Sequence, residues 1–91
     1  MTIRQSTQTL QLTVRYFAAA RAAAGIETET MHVAAGTTVG ALVDMLATRS
    51  EDLARVLQRC SFLRDGIAVR DDAVELVDGQ TLDVLPPFAG G

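Results

Sequence analysis

The stretch LQLTVRYFAAARAAAG, residues 10–25, decides the fold because its periodicity changes halfway along. Apolar side chains occupy every second position over 10–16, which is typical of a β-strand with one buried face. Residues 18–24 are mostly alanine, the best helix former, and Gly25 stands where helices commonly end. The sequence therefore predicts a strand over 10–16 that leads directly into a short helix over 18–24.

The segments that follow predict another strand and two more helices. Residues 26–33 have the threonine and valine content of a pleated strand. Thr37 or Thr38 can cap the main helix. The apolar residues of this helix recur at i, i+3, i+4 and i+7, as Val39, Leu42, Val43 and Leu46. Ser50 can cap a second, shorter helix.

The C-terminal third contains two Asp-Gly dipeptides, and the first predicts a hairpin. Asp65-Gly66 separates two apolar runs, which is a strong signal for a tight β-turn. The second dipeptide precedes a final strand in which Leu82 and Val84 share one face. This order of elements predicts an α+β domain with helices packed on one face of a mixed sheet. We expect the first and last strands to lie side by side as a parallel pair at the sheet centre.

The composition indicates one globular domain and argues against several functions. The chain has 91 residues, of which 48% are hydrophobic, and a net charge of −3. It contains no basic stripe, so nucleic acid is not an expected partner.

Cys60 is the single cysteine and is expected to be a buried small hydrophobe, and His32 is the single histidine and is expected on a strand surface. A disulfide and a metal site are therefore not expected. Neither a secretory signal nor a membrane span is recognisable, so we expect a cytoplasmic protein.

The last eight residues, VLPPFAGG, end the final strand and carry a reactive group. Pro86 and Pro87 cannot donate ladder hydrogen bonds, and together they favour a stiff, extended backbone. An aromatic residue follows, and then three slender residues, Ala89, Gly90 and Gly91. The α-carboxylate of Gly91 could react with ATP to form an acyl-adenylate. The chain has neither lysine nor a GxxxxGK[ST] loop, so this activation has to come from another protein.

Two segments resemble the sulfur-carrier (small) subunits of molybdopterin synthase, which are ubiquitin-like β-grasp proteins. VRYFAAARAAAG, residues 14–25, is similar to that family's strand followed by F-A-x-x-R-x-x-x-G. LVDGQTLDVLPPFAGG, residues 76–91, is similar to its ending, with Leu82 at the usual valine. Gln80 and Thr81 depart from the pattern, because the family often has an acidic pair there.

The resemblance implies a mechanism in which this chain is a non-catalytic, sulfur-donating subunit. An adenylating (E1-like) enzyme would activate Gly91 with ATP, and a sulfurtransferase would supply sulfur to give a C-terminal thiocarboxylate. The large catalytic subunit of molybdopterin synthase would then take up the tail. There the sulfur would pass to precursor Z (cyclic pyranopterin monophosphate) during molybdenum cofactor biosynthesis. No cofactor is expected to bind this chain itself.

These inferences divide the chain into a flexible leader over 1–9, a β-grasp domain over 10–86 and an extended tail over 87–91. The site residues at the tip are Gly91 and Gly90. Residues expected to bind partners are Pro86, Pro87, Phe88 and Ala89 near the terminus, and Phe17, Leu63, Leu85 and Arg21 on the domain. For Phe17 the alternative is core packing, and for Arg21 it is a solvated helix surface.

Other functions stay open at this point. A carrier of the same chemistry could serve cysteine or thiamine biosynthesis. A ubiquitin-like protein could be conjugated to lysines of other proteins. A β-grasp binding module with an inert tail would need none of this chemistry.

Overall fold

Strands and helices follow one another in the order that the sequence predicts. The computed structural model describes residues 8–87, and predictions for residues 1–7 and 88–91 lie outside this range. Within it the elements are β1 (Thr9–Tyr16), α1 (Ala18–Ala24), β2 (Thr28–Ala34), α2 (Val39–Ala47), α3 (Glu51–Leu57), β3 (Ser61–Arg64), β4 (Ile67–Ala68) and β5 (Thr81–Leu85). Each helix in this part of the chain is much too short to cross a bilayer.

The five described strands form one mixed sheet with the order β2-β1-β5-β3-β4. The pair β1 and β5 is parallel, with Val14 opposite Leu82, and the other pairs are antiparallel. The predicted central parallel pair is therefore confirmed. As a consequence, the segment that follows Leu85 leaves from the middle of the sheet.

The core lies between one face of the sheet and the helices. Alternate residues of β1 and β5 point into it, and α2 and α3 supply leucines from their inner faces. The most completely buried large side chains are Tyr16, Leu12, Leu42, Leu46, Leu53, Leu82, Val14, Val39 and Val84. This confirms the predicted apolar stripes, because each residue sits at the spacing that its element requires.

Hydroxyl caps fix the start of two helices. The Thr38 hydroxyl accepts a hydrogen bond from the Ala41 N–H at 3.1 Å, so of the two candidate caps Thr38 is the one used. Thr37 instead donates to the Ala34 carbonyl at 2.6 Å. At α3 the Ser50 hydroxyl accepts from the Leu53 N–H at 3.0 Å. These bonds satisfy N–H groups that a helix leaves unpaired at its first turn.

The first Asp-Gly dipeptide forms the predicted tight turn between β3 and β4. Asp65 and Gly66 both have positive φ angles, 50° and 82°, as a type I′ turn requires. The Asp65 carboxylate also accepts a hydrogen bond from the Thr81 N–H at 2.8 Å, which ties the turn to the start of β5.

The bounds of two strands differ slightly from the prediction. β1 begins one residue earlier than expected, at Thr9, and β2 runs over Thr28–Ala34 instead of 26–33. Gly25 ends α1 with a φ of 76°, and Ile26 and Glu27 are then used to return the chain to the sheet. In this return the Tyr16 N–H donates to the Glu27 carbonyl at 2.8 Å.

Candidate partner-docking face

The second face of the sheet carries the residues that alternate with the core positions. Arg15 on β1 lies opposite Asp83 on β5, which in turn lies opposite Leu63 on β3. Phe17 has an extended backbone (φ −121°, ψ 149°), so it continues the alternation of β1 onto this open face. Leu85 ends β5 on the same face. We call the group formed by Arg15, Phe17, Leu63, Asp83 and Leu85 the exit patch, because the chain leaves the sheet beside it.

The apolar members of the exit patch are only partly covered by the rest of the domain. Phe17 is 37% exposed, and Leu63 and Leu85 are half-buried. Their strand neighbour Val84 is fully buried against the helices, as the alternation predicts. Phe62 also packs against the core. The structure therefore places Leu63 and Leu85, which the sequence suggested as partner-binding residues, on the open face, and of the two alternatives for Phe17 it shows the exposed one.

An ion pair lies at the centre of the exit patch. The Arg15 guanidinium donates from Nε to Asp83 Oδ1 at 2.6 Å and from Nη2 to Asp83 Oδ2 at 2.8 Å. The Asp83 side chain is only 8% exposed, whereas that of Arg15 is 50% exposed. The hydrogen bond and the charge of Asp83 raise the pKa of Arg15 above its usual value. Sequence reasoning missed this pair, because the partners are 68 positions apart and only the register of β1 with β5 joins them.

A cavity of about 310 Å³ adjoins the exit patch where β1 ends. The cationic side chains that line it are Arg15 and Arg21, and the acidic one is Glu27. Arg21 is exposed, so the structure places this predicted partner-binding residue on the surface, next to Phe17. Ala18, also in the lining, has a φ of 50°, which is rare for a residue other than glycine and lets α1 begin directly after the strand.

The described chain ends beside the exit patch. The Phe17 N–H donates to the Val84 carbonyl at 3.2 Å, which fixes the end of β5 against the start of α1. Pro86 is then half-buried and Pro87 is exposed. The other predicted tail residues, Phe88, Ala89, Gly90 and Gly91, lie outside the described range.

The family model described as the ThiS family matches residues 14–91. The chain belongs to the ThiS family. It is 30% identical over 83 residues to a molybdopterin synthase sulfur carrier subunit of Chlamydomonas reinhardtii, a match that spans 90% of this chain and 100% of the relative. The resemblance seen in residues 14–25 and 76–91 is therefore confirmed.

Solved structures show the same fold. SAMP1, the small archaeal modifier protein 1 of Haloferax volcanii, superposes with a TM-score of 0.77 at 27% identity over 89% of this chain and 99% of that chain. A complex of subunits 1 and 2 of molybdopterin-converting factor from Helicobacter pylori gives 0.67 at 21% identity, covering 90% and 100%. A Caldiarchaeum subterraneum ubiquitin gives 0.63 at 16%, covering 92% and 100%. The domain of this ThiS-family chain is thus a ubiquitin-like β-grasp.

In this ThiS-family domain a polar network on the core side holds Tyr16, the residue before Phe17. The buried Tyr16 hydroxyl donates to Glu29 Oε2 at 2.6 Å, and Arg49 Nη1 donates to the same oxygen at 2.5 Å. Burial and the hydrogen bond to Glu29 raise the pKa of Tyr16 well above its usual range. Burial opposes the ionisation of Glu29, but hydrogen bonds from Arg49 and Tyr16 outweigh it and hold the pKa of Glu29 below its usual value. The network joins β1, β2 and the link between α2 and α3.

The remaining chemistry-bearing residues have surface or packing positions. Cys60 is half-buried, its thiol hydrogen-bonds to the Val56 carbonyl at 3.3 Å, and burial raises the pKa of the thiol. It packs against the core, although it is less buried than the sequence suggested. His32 is exposed on β2, on the open face. Residues 8–87 contain no cluster of three side chains that could hold a metal ion.

Proposed function

We propose that this chain is the sulfur-carrier subunit of a molybdopterin synthase. The observation that carries the proposal is the similarity to the Chlamydomonas reinhardtii sulfur carrier subunit, which extends over the whole of that relative. The fold supports it, because β5 lies inside the sheet and delivers the chain end beside a partly apolar patch. A partner that binds this patch would meet the C-terminus at the same time.

The reactive group in this proposal is the carboxylate of Gly91. An adenylating (E1-like) enzyme uses ATP to convert it into an acyl-adenylate, and a sulfurtransferase provides the sulfur that replaces AMP. The product is a C-terminal thiocarboxylate, whose sulfur is a soft nucleophile for precursor Z. The chain itself binds no cofactor in this scheme. Because the sulfur stays attached to a carrier, docking turns a dilute encounter into a local one. The reaction takes place in the cytoplasm.

The large catalytic subunit of molybdopterin synthase is the proposed acceptor of the tail. The Helicobacter pylori structure is a complex between the two subunits of that organism's converting factor, which supports an equivalent pairing here. In our proposal Phe17, Leu63 and Leu85 contact the large subunit. The prolines, Phe88 and Ala89 guide Gly90 and Gly91 into its active site. Arg21 pairs with an acidic residue of the partner.

Deletion of Gly91 tests the mechanism. We expect the truncated chain to fold and to bind the large subunit, but to lose sulfur transfer, because the carboxylate would be displaced by one residue from the reacting position. The measurement is synthesis of molybdopterin from precursor Z by the reconstituted synthase. Intact-mass analysis of the wild-type chain from its native host should show a fraction with one oxygen replaced by sulfur. Normal synthesis by the truncated chain would exclude the carrier mechanism.

A protein modifier is the second candidate function. The observation that favours it is the likeness to SAMP1, a small archaeal modifier protein. A modifier would form adducts with lysines of other host proteins, and the intact-mass experiment would then find conjugates. A carrier for cysteine or thiamine biosynthesis would also carry sulfur, but would co-purify with a different acceptor, such as a cysteine synthase. Co-purification from the native host therefore separates the pathways.

A further inference from the structure

The position of Asp83 is unusual for a carboxylate. It lies on the open face of the sheet, where no helix covers it, yet its side chain is 8% exposed. The cover comes from its own partner, Arg15, and from its neighbours on the flanking strands. A largely covered ion pair need not stabilise the fold, because replacing such a pair with apolar residues is often neutral or stabilising.

The ion pair leaves part of the guanidinium available. Asp83 accepts hydrogen bonds from Nε and from one N–H of Nη2. The N–H groups of Nη1 have no acceptor among residues 8–87. The Phe17 ring lies 5.5 Å from the Arg15 Cζ, which restrains the plane of the guanidinium from a second side. Arg15 is thus held by Asp83 and Phe17, with its remaining donors directed away from Asp83.

A second cation lines the cavity beside the exit patch. Arg21 lines the same 310 Å³ cavity as Arg15, and its side chain has no hydrogen bond within the described part of the chain. Glu27 is the one acidic residue in the lining, so the two arginines exceed it by one positive charge. Asp83, which pairs with Arg15, balances this excess, so what distinguishes the corner is that the Arg21 side chain and the Nη1 group of Arg15 have no hydrogen-bonded acceptor among residues 8–87.

The end of the described chain limits where a partner can be. Four residues follow Pro87, and a fully extended chain of that length spans at most about 14 Å. A protein that reacts with Gly91 must therefore come within about 14 Å of Pro87, which lies at the same end of the sheet as Phe17 and Leu85 of the exit patch.

We propose that Arg15, positioned by Asp83, is a recognition residue that binds an acidic side chain of the large subunit in the cavity shared with Arg21. This inference rests on the proposed function. The acceptor is a carboxylate because Arg forms charge-assisted hydrogen bonds with carboxylates, and because Arg21 and the unused donors of Arg15 belong to residues that line one cavity. The apolar residues of the exit patch surround this contact and exclude water from it.

The test is a double variant, Arg15→Leu with Asp83→Ala, assayed for binding to the host's own large subunit by calorimetry. Removing both partners leaves no unpaired charge, so the domain should keep its fold and a similar melting temperature. We expect the affinity to fall by about tenfold or more. Wild-type binding should also weaken with salt more steeply than binding of the double variant. The matched control is Asp52→Ala with Arg55→Leu, an exposed ion pair on α3, which should bind like the wild type.

Each outcome decides the matter. If the double variant folds and binds as tightly as the wild type, or more tightly because the patch is now more apolar, the inference is wrong and the proposed function stands. If the wild type does not bind the large subunit, both are wrong. If sedimentation of the chain alone shows a dimer that the double variant dissociates, the patch is occupied by a second copy and the inference is wrong.

Discussion

The two faces of one sheet use the same strands for different purposes. On the helix side, β1 and β5 contribute Leu12, Val14, Leu82 and Val84, each at most 1% exposed. On the open side, one position along, the same strands carry Arg15, Asp83 and Leu85. The helix side is packed mainly with apolar side chains and includes the hydrogen bond from Tyr16 to Glu29, whereas the open side combines partly exposed leucines with an oriented ion pair. In our proposal stability and recognition are thus assigned to alternate residues of the same strand.

Alanine substitution at two positions of β5 gives the largest expected difference between the faces. We expect Leu82→Ala to lower the free energy of unfolding by about 3 kcal/mol, because it leaves a cavity in the core. Leu85→Ala should cost about 1 kcal/mol or less, because that side chain is half-buried. Urea unfolding measures both values. The smaller change should nevertheless weaken binding to the large subunit, while Leu82→Ala should not do so in the folded protein. Equal losses of stability would show that Leu85 belongs to the core.

A smaller effect is expected for Tyr16→Phe, on the helix side. The change removes one hydrogen bond to Glu29, which keeps its bond to Arg49. The free energy of unfolding should therefore fall by about 1 kcal/mol at neutral pH. The pH dependence gives a sharper readout. Folding raises the pKa of Tyr16. The contribution of the tyrosine hydroxyl to the free energy of unfolding is therefore complete below the ordinary tyrosine pKa of 10.0, and it is lost as the pH rises above that value towards the folded pKa. Wild-type stability should fall in alkaline solution, and this part of the fall should be absent in the variant.

The acid side of the same network provides a control. The pKa of Glu29 is lowered on folding, so its contribution is present above the ordinary glutamate value of 4.5 and is lost as the pH falls below it. Tyr16→Phe keeps the hydrogen bond between Glu29 and Arg49. The variant should therefore still lose most of the same stability as the wild type when the pH falls below 4.5. An alkaline profile identical to that of the wild type would contradict the role assigned to the tyrosine hydroxyl.

The local features of the fold could be predicted from the sequence, whereas the polar contacts of the site could not. The alternation in β1, the stop at Gly25 and the cap at Thr38 depend on neighbouring residues, so the sequence shows them directly. Arg15 and Asp83 each occupy an ordinary outward position in their own strand. They meet only because β1 and β5 pair in one particular register, which no local pattern specifies.

The same distinction applies to the remaining features. Glu29 and Arg49 are 20 positions apart and meet through packing of the link between α2 and α3 against β2. The positive φ of Ala18 has no sequence signal, because alanine is a poor residue for that conformation. The chemistry assigned to the C-terminus came from the sequence pattern and the family resemblance, and Gly91 lies outside the described residues.

The smallest expected effect is that of Arg55→Ala, and it tests whether an ion pair matters by its position. Arg55 Nη1 lies 3.2 Å from Asp52 Oδ1 on α3, and both side chains are more than two-thirds exposed. Solvent screens such a pair, so its loss should change the free energy of unfolding by roughly 0.3 kcal/mol. Because α3 packs on the helix side of the sheet, binding to the large subunit should also be unchanged. A clear loss of binding in this variant would place the partner on the helix layer, and the division between a stabilising face and a recognition face would then be wrong.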